Sequence, residues 1–348
     1  MNKLYAGLLA GILIVIIVGA AAWYVWFYQP TAPAKNKIGL VLATGGLGDK
    51  SFNDIAYAGC LRAQDELGIV FDKAEPKAIS EYEGFQTNFA KTGEYALIIC
   101  IGFDQADALN KTAQAYPNQK FVIVDMVVDL PNVASLTFRA NEASFLVGTI
   151  AGSLTGSGKV GFVGGMDIPL IRDFYVGYKA GVEWANPDAT VLTPVFVGGW
   201  ADPTKGKELA VSLIEDGADG IFAAAGKSGL GALEAVDEKG TVMGFGVDSC
   251  QDYLYPSGLI AASATKRVDV AVYEMINATM TGTFHGGTFS GGLKEKWAGC
   301  SRLPSEESFW EATFNFTEPA LPDNAFTKLI EADAGIVAGT ITVPSGYT

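Results

Sequence analysis

From Leu4 to Tyr28 no side chain is charged, and 25 residues at about 1.5 Å each reach across a bilayer. After the Pro- and Ala-rich stretch Gln29–Ala34 the pattern changes. Ile38–Ala43 is a continuous apolar run ended by Gly45-Gly46, as expected of a strand buried on both faces. Ala56, Cys60, Ala63 and Leu67 then recur at three and four residues, which predicts a helix. The alternation repeats. Strands are expected at Ala96–Ile101, Phe121–Val124, Val160–Val163, Val191–Val197, Gly220–Ala223 and Val242–Val247. Helices are expected at Tyr82–Lys91, Ala106–Tyr116, Phe174–Ala185, Lys205–Glu215 and Leu230–Lys239. Such a pattern implies an α/β fold of doubly wound parallel sheets.

The middle of the chain argues for two sheets. Asn141–Leu154 reads as a long helix, Thr155–Gly158 as a break, and Lys159–Gly164 as the first strand of a second series. Ile260–Thr265 and a helix at Val268–Met280 follow that series and return toward the first. The expected division is an anchor or signal segment (1–28), a tether (29–36), one lobe (37–155 with about 266–300) and a second (156–265 with about 301–344). Segments crossing between two lobes make a hinge beside a cleft.

The first segment has two readings. A cleaved signal peptide would use Leu8–Val18 and the small residues Ala20-Ala21-Ala22. Against cleavage, Trp23, Tyr24, Trp26, Phe27 and Tyr28 extend the apolar stretch as an interfacial aromatic belt does, favouring a retained transmembrane helix. No cysteine precedes Cys60, so this segment offers no thiol for lipidation.

A formal net charge of −14 supplies no basic field, which sets nucleic-acid binding aside. The four cysteines (Cys60, Cys100, Cys250, Cys300) show no metal spacing; outside the cytoplasm a Cys250–Cys300 bridge is open. The single histidine, His285, removes His-based triads and multi-histidine metal sites, and no GxSxG or Walker sequence is present. Neither an enzyme nor a metal or organic cofactor is expected.

In open parallel sheets ligands bind beyond the carboxyl ends of the strands. Those positions are Thr44–Asn53, Gly102–Asp104, Asp125, Gly164–Asp167, Gly198–Asp202, Ala225–Ser228 and Asp248–Gln251. They are rich in Gly and Asp and carry Phe52, Phe103 and Trp200, which suit a flat ligand. Each has a plainer alternative: Asp49, Asp104 and Asp202 as helix caps, Phe52 as core.

Several motifs go further: Gly48-Asp49-Lys50-Ser51-Phe52-Asn53, Asn141-Glu142-Ala143-Ser144-Phe145-Leu146-Val147-Gly148, Gly164-Gly165-Met166-Asp167-Ile168-Pro169, Asp202–Glu208, Gly246–Ser249 and Lys266–Asp269. From about Lys37 to Pro344 the sequence resembles the basic membrane protein family of ABC-transporter solute-binding proteins, whose best-understood members bind purine nucleosides. The resemblance implies a type I periplasmic-binding fold and an extracytoplasmic, membrane-anchored monomer that serves ABC permease and ATPase subunits. It implies ligand contacts from Phe52, stacked on a base, and from neighbouring Asn53. Asp125 is implied as a cleft carboxylate and Trp200 as an aromatic on the opposite lobe. Asp248 and Lys266 are implied on ribose hydroxyls. Gly226 joins these at a strand end, as does Asp104. Asp104 is the substitute expected for a base-contacting Asp that the family has where this chain has Ala43. A membrane-tethered sensor of the same fold, or a binding protein for a sugar, remains the alternative.

Overall fold

The computed structural model describes residues 35–317 and 319–347. The expected membrane segment, 1–28, and all of the tether but residues 35 and 36 lie outside them. No helix among the described residues is long and apolar enough to cross a membrane.

Two sheets organise Asn36–Thr348. The first holds β1 (Lys37–Val41), β2 (Val70–Ala74), β3 (Tyr95–Ile101), β4 (Phe121–Val124), β5 (Val133–Phe138) and, from far along the chain, β12 (Gly287–Gly291). Its order is β12-β5-β4-β3-β1-β2, parallel throughout. The second holds β6 (Lys159–Gly164), β7 (Thr190–Val191), β8 (Val195–Phe196), β9 (Gly220–Ala224), β10 (Met243–Asp248), β11 (Ile260–Lys266) and β13 (Ala298–Cys300). It runs β13-β11-β10-β9-β6-β7, with β8 also on β6, and only β13 is antiparallel.

Each sheet is covered on both faces because its strands are apolar at successive positions. Ile38 and Leu40 pack with α1 (Phe52–Leu67) and α8 (Val268–Met280), while Val41 packs with α2 (Tyr82–Thr92) and α3 (Ala106–Ala115). In the second sheet Phe162, Phe222 and Phe245 join α4 (Ala140–Leu154), α5 (Pro169–Ala185) and α10 (Asp323–Val337). Val163 and Ile221 turn to α6 (Pro203–Glu215) and α7 (Lys227–Lys239). The remaining helix, α9 (Pro304–Phe314), puts Trp310 into the first core.

The helix expected to close the first lobe packs elsewhere. Helix α4 lies on α5, α10 and β11, all of them with the second sheet. That approach requires glycine: a Cβ on Gly148 would sit 2.1 Å from the Tyr178 carbonyl oxygen, and one on Gly181 2.0 Å from that of Phe145. The first crossing between sheets is therefore at 138–140, not near 155. Strand β13, expected from the sequence in the first lobe, pairs with β11.

Two crossings are tied together at Arg139. Its N–H donates to the Gly291 carbonyl at 2.8 Å, and its guanidinium meets Glu142 at 2.6 Å and also pairs with Glu295. Glu142 in turn accepts the Leu293 N–H at 2.8 Å. The Cys250–Cys300 bridge left open by the sequence is not formed; these thiols are buried in separate core clusters.

Candidate ligand-binding cleft

The carboxyl ends of the two sheets face one another across a cleft with about 660 Å³ of empty space, its open mouth included. All eight residues singled out from the sequence line it: Phe52, Asn53, Asp104, Asp125, Trp200, Gly226, Asp248 and Lys266.

Its most polar part lies where β4, β10 and β11 end. Asp125 and Asp248 hold left-handed φ values of 71° and 64°, conformations a non-glycine residue adopts only under constraint. The twist turns the chain aside at each strand end. Lys266, the last residue of β11 and 2% exposed, pairs with Asp125 Oδ2. Its ammonium also lies 4.6 Å from the Phe52 ring centre and 5.1 Å from that of Phe138, in reach of both π faces. Asp248 Oδ2 accepts the Ser51 hydroxyl at 2.5 Å. Burial pushes the Asp248 carboxyl up to about 6, against the pull of Lys266 and Ser51; Asp125 and Asp49 push the same way as burial. Asp125 Oδ1 is buried with no hydrogen-bond partner. A carboxylate oxygen removed from water and left unpaired costs free energy that a ligand donor would recover.

The first-sheet wall is built around the start of α1. Asp49 accepts the backbone N–H groups of Ser51, Asn53 and Asp54 at 3.0, 2.9 and 3.2 Å, so the capping alternative holds for it. Its carboxyl is raised by burial and lowered by those bonds. Asn53 spans the gap, donating to Asp49 at 3.0 Å and accepting from the Ala43 N–H at 2.9 Å. Asp202 caps α6 through the Lys205 N–H. Asp104 does not cap α3. Instead its Oδ2 accepts the Tyr82 hydroxyl at 2.9 Å, and burial raises its carboxyl. Tyr82 opens α2 and follows no strand directly in the sequence, so reading strand ends alone could not find it.

On the opposite wall Trp200 lies against Gly165 so closely that a Cβ there would be 2.2 Å from Cζ3. Gly226 (φ 55°) begins α7 beside Trp200, whose carbonyl accepts the Ser228 N–H at 3.0 Å. Helix α5 adds Leu170, Ile171 and Phe174, three apolar lining residues missed because the strand-end rule stopped at Asp167. Among the described residues no His, Cys, Asp and Glu group could hold a metal, and exposed His285 does not line the cleft.

A profile described as "ABC transporter substrate-binding protein PnrA-like", Bmp, matches residues 35–345. The chain belongs to the Bmp family. It is 33% identical over 294 residues to an uncharacterized lipoprotein of Pyrococcus abyssi, covering 81% of this chain and 72% of that one. Basic membrane protein A of Borreliella burgdorferi is 35% identical over 283 residues, covering 78% and 81%. Among solved structures, an ABC transporter solute-binding protein of Aeropyrum pernix superposes with a TM-score of 0.77 at 31% identity, over 88% of this chain and 93% of that one. The Bmp protein is thus a solute-binding component of ABC transporters, a class that works with permease and ATPase subunits and binds small ligands without transforming them.

Proposed function

We propose that this Bmp protein captures a nucleoside outside the cytoplasm and delivers it to its permease, held as a monomer at the membrane by residues 1–28. The carrying observation is the buried Asp125–Lys266 pair with its unpartnered Asp125 Oδ1, set beside Asp248 and against the Phe52 ring. Two carboxylates and an ammonium can accept from and donate to vicinal hydroxyls in a dry cleft. Phe52 and Trp200 supply aromatic surface for a base. Asn53 and Asp104 edge the base, and Gly226, which lines the cleft beside Trp200, completes the wall.

Thermal melts against nucleosides, free bases, sugars and amino acids test this. Ligand at a hundredfold excess over Kd stabilises by about 2.7 kcal/mol, a shift of several degrees. A shift with nucleosides is expected. A shift with a sugar or amino acid and none with any nucleoside overturns the ligand assignment and leaves the transporter class standing.

A further inference from the structure

One buried side chain at the cleft has no part in the scheme above. Tyr82 is fully buried, and its hydroxyl sits between the end of β1 and the turn after β3. It accepts the Thr44 N–H at 3.0 Å and donates to Asp104 Oδ2 at 2.9 Å. The turn carrying Asp104 is itself pinned: Gln105 donates to the carbonyls of Val41 and Ile101, both at 2.9 Å, and accepts from Gln86 at 3.0 Å. Asp104 therefore stands on a fixed backbone with one oxygen engaged.

The other oxygen is placed against the cleft's aromatic wall. A Cβ on Gly102 would lie 3.0 Å from Asp104 Oδ1, 3.3 Å from the Ala43 methyl and 3.9 Å from Phe52 Cε1. Carboxylate, methyl and ring edge thus converge on one point, and the small residues at 43 and 102 leave it open. A planar ligand lying on Phe52 presents its edge to Oδ1. An ionised carboxylate only accepts, so that edge must carry an N–H.

We propose that Tyr82 is a positioning residue that presents Asp104 Oδ1 as a one-acceptor reader, selecting ligands whose ring edge bears an N–H donor. The inference rests on the nucleoside reading. It goes beyond it by requiring discrimination between nucleosides with the same ribose and similar stacking surface. Adenosine and inosine carry an N–H on the base; purine riboside carries none. A hydrogen bond to a charged acceptor separates such ligands by about tenfold to a hundredfold.

Calorimetric titration of the wild type, Tyr82→Phe and Asp104→Ala with adenosine, inosine and purine riboside tests it. The wild type should prefer adenosine or inosine over purine riboside by at least about tenfold. Asp104→Ala should bring the ratio near one. Tyr82→Phe, which removes one hydroxyl and keeps the ring, should narrow the ratio several-fold because the carboxylate is no longer held. A purely structural Tyr82 would weaken all three ligands alike and leave the ratio at its wild-type value, overturning the proposal. Equal binding of all three by the wild type overturns it as well, with the nucleoside reading intact. No nucleoside binding at all overturns both.

Discussion

The Ser51 hydroxyl donates to Asp248 Oδ2 at 2.5 Å, joining residues 197 positions apart. Ser51 precedes α1 on the first sheet and Asp248 ends β10 in the second, so the bond spans the cleft. Beside it, Gln251 donates to the Lys50 carbonyl at 3.0 Å. Separating the two walls would break both contacts. Ser51→Ala is expected to shift the population toward an open form and to weaken ligand by about 1–2 kcal/mol. Small-angle scattering without ligand should show a larger radius of gyration for the variant; identical radii and affinities would show that the bond does not contribute to closure.

Asp248 also sets a pH dependence. Its carboxyl, raised to about 6 by burial, binds a proton more tightly folded than unfolded. Stability from that proton is present at low pH and lost as pH rises through about 6, to the extent of roughly 3 kcal/mol. Ligand hydroxyls donating to the ionised form require the opposite, so affinity should fall as pH drops below about 6. Denaturant titrations and calorimetry at pH 5, 6 and 7 should therefore show opposite trends for the free protein's stability and for its affinity. Asp248→Asn should remove its share of both trends, leaving the weaker stability slope set by the other buried carboxyls, Asp49, Asp104, Asp173 and Glu306. A wild-type affinity constant across that range would exclude Asp248 as an acceptor for ligand.

Strands buried on both faces announce themselves as apolar runs, and β3, β4, β9 and β10 fall within a residue or so of expectation. Strands β2 and β5 do not read that way. The first is an edge strand whose Asp72 pairs with Lys37 at 2.8 Å, and edges tolerate charge. In the second, Ser135 interrupts the run because its hydroxyl accepts the Val128 N–H at 3.0 Å, a partner known only from the fold. The lobe boundary was misplaced for a similar reason: Gly148 and Gly181 meet helix backbones 30 or so residues away, and spacing alone does not name the partner. The cleft was far more legible, since strand ends are fixed by the strands themselves. What escaped were side chains arriving from helices, Tyr82 and Phe174 among them.

The buried pair where β4 and β11 end is costly to break. Lys266→Ala would leave Asp125 charged, buried and without its partner. A loss of about 3–5 kcal/mol in unfolding free energy is expected, while Lys266→Met combined with Asp125→Leu should recover much of it without restoring binding. Chemical denaturation with parallel ligand titration separates the two effects. Full ligand affinity in the double variant would remove the pair from the site.

Gly165 tests the opposite wall. Gly165→Ala puts a methyl 2.2 Å from Trp200 Cζ3, so the indole must move. An overpacking cost of about 1–3 kcal/mol in stability is expected, with a larger relative loss for nucleosides than for free ribose. Equal losses for both would mean that Trp200 does not face the base.

The most direct measurement is a calorimetric titration of the unmodified protein with a ribonucleoside and its 2′,3′-dideoxy counterpart. The two present the same base to Phe52 and Trp200 and differ only at the hydroxyls assigned to Asp125, Asp248 and Lys266. Saturable one-to-one binding of the ribonucleoside is expected, with the dideoxy form weaker by about a hundredfold or more, the scale of two hydrogen bonds to charged groups. Equal affinities would contradict the assignment of the hydroxyls to Asp125, Asp248 and Lys266; no binding of either would contradict the assignment of this cleft to nucleosides.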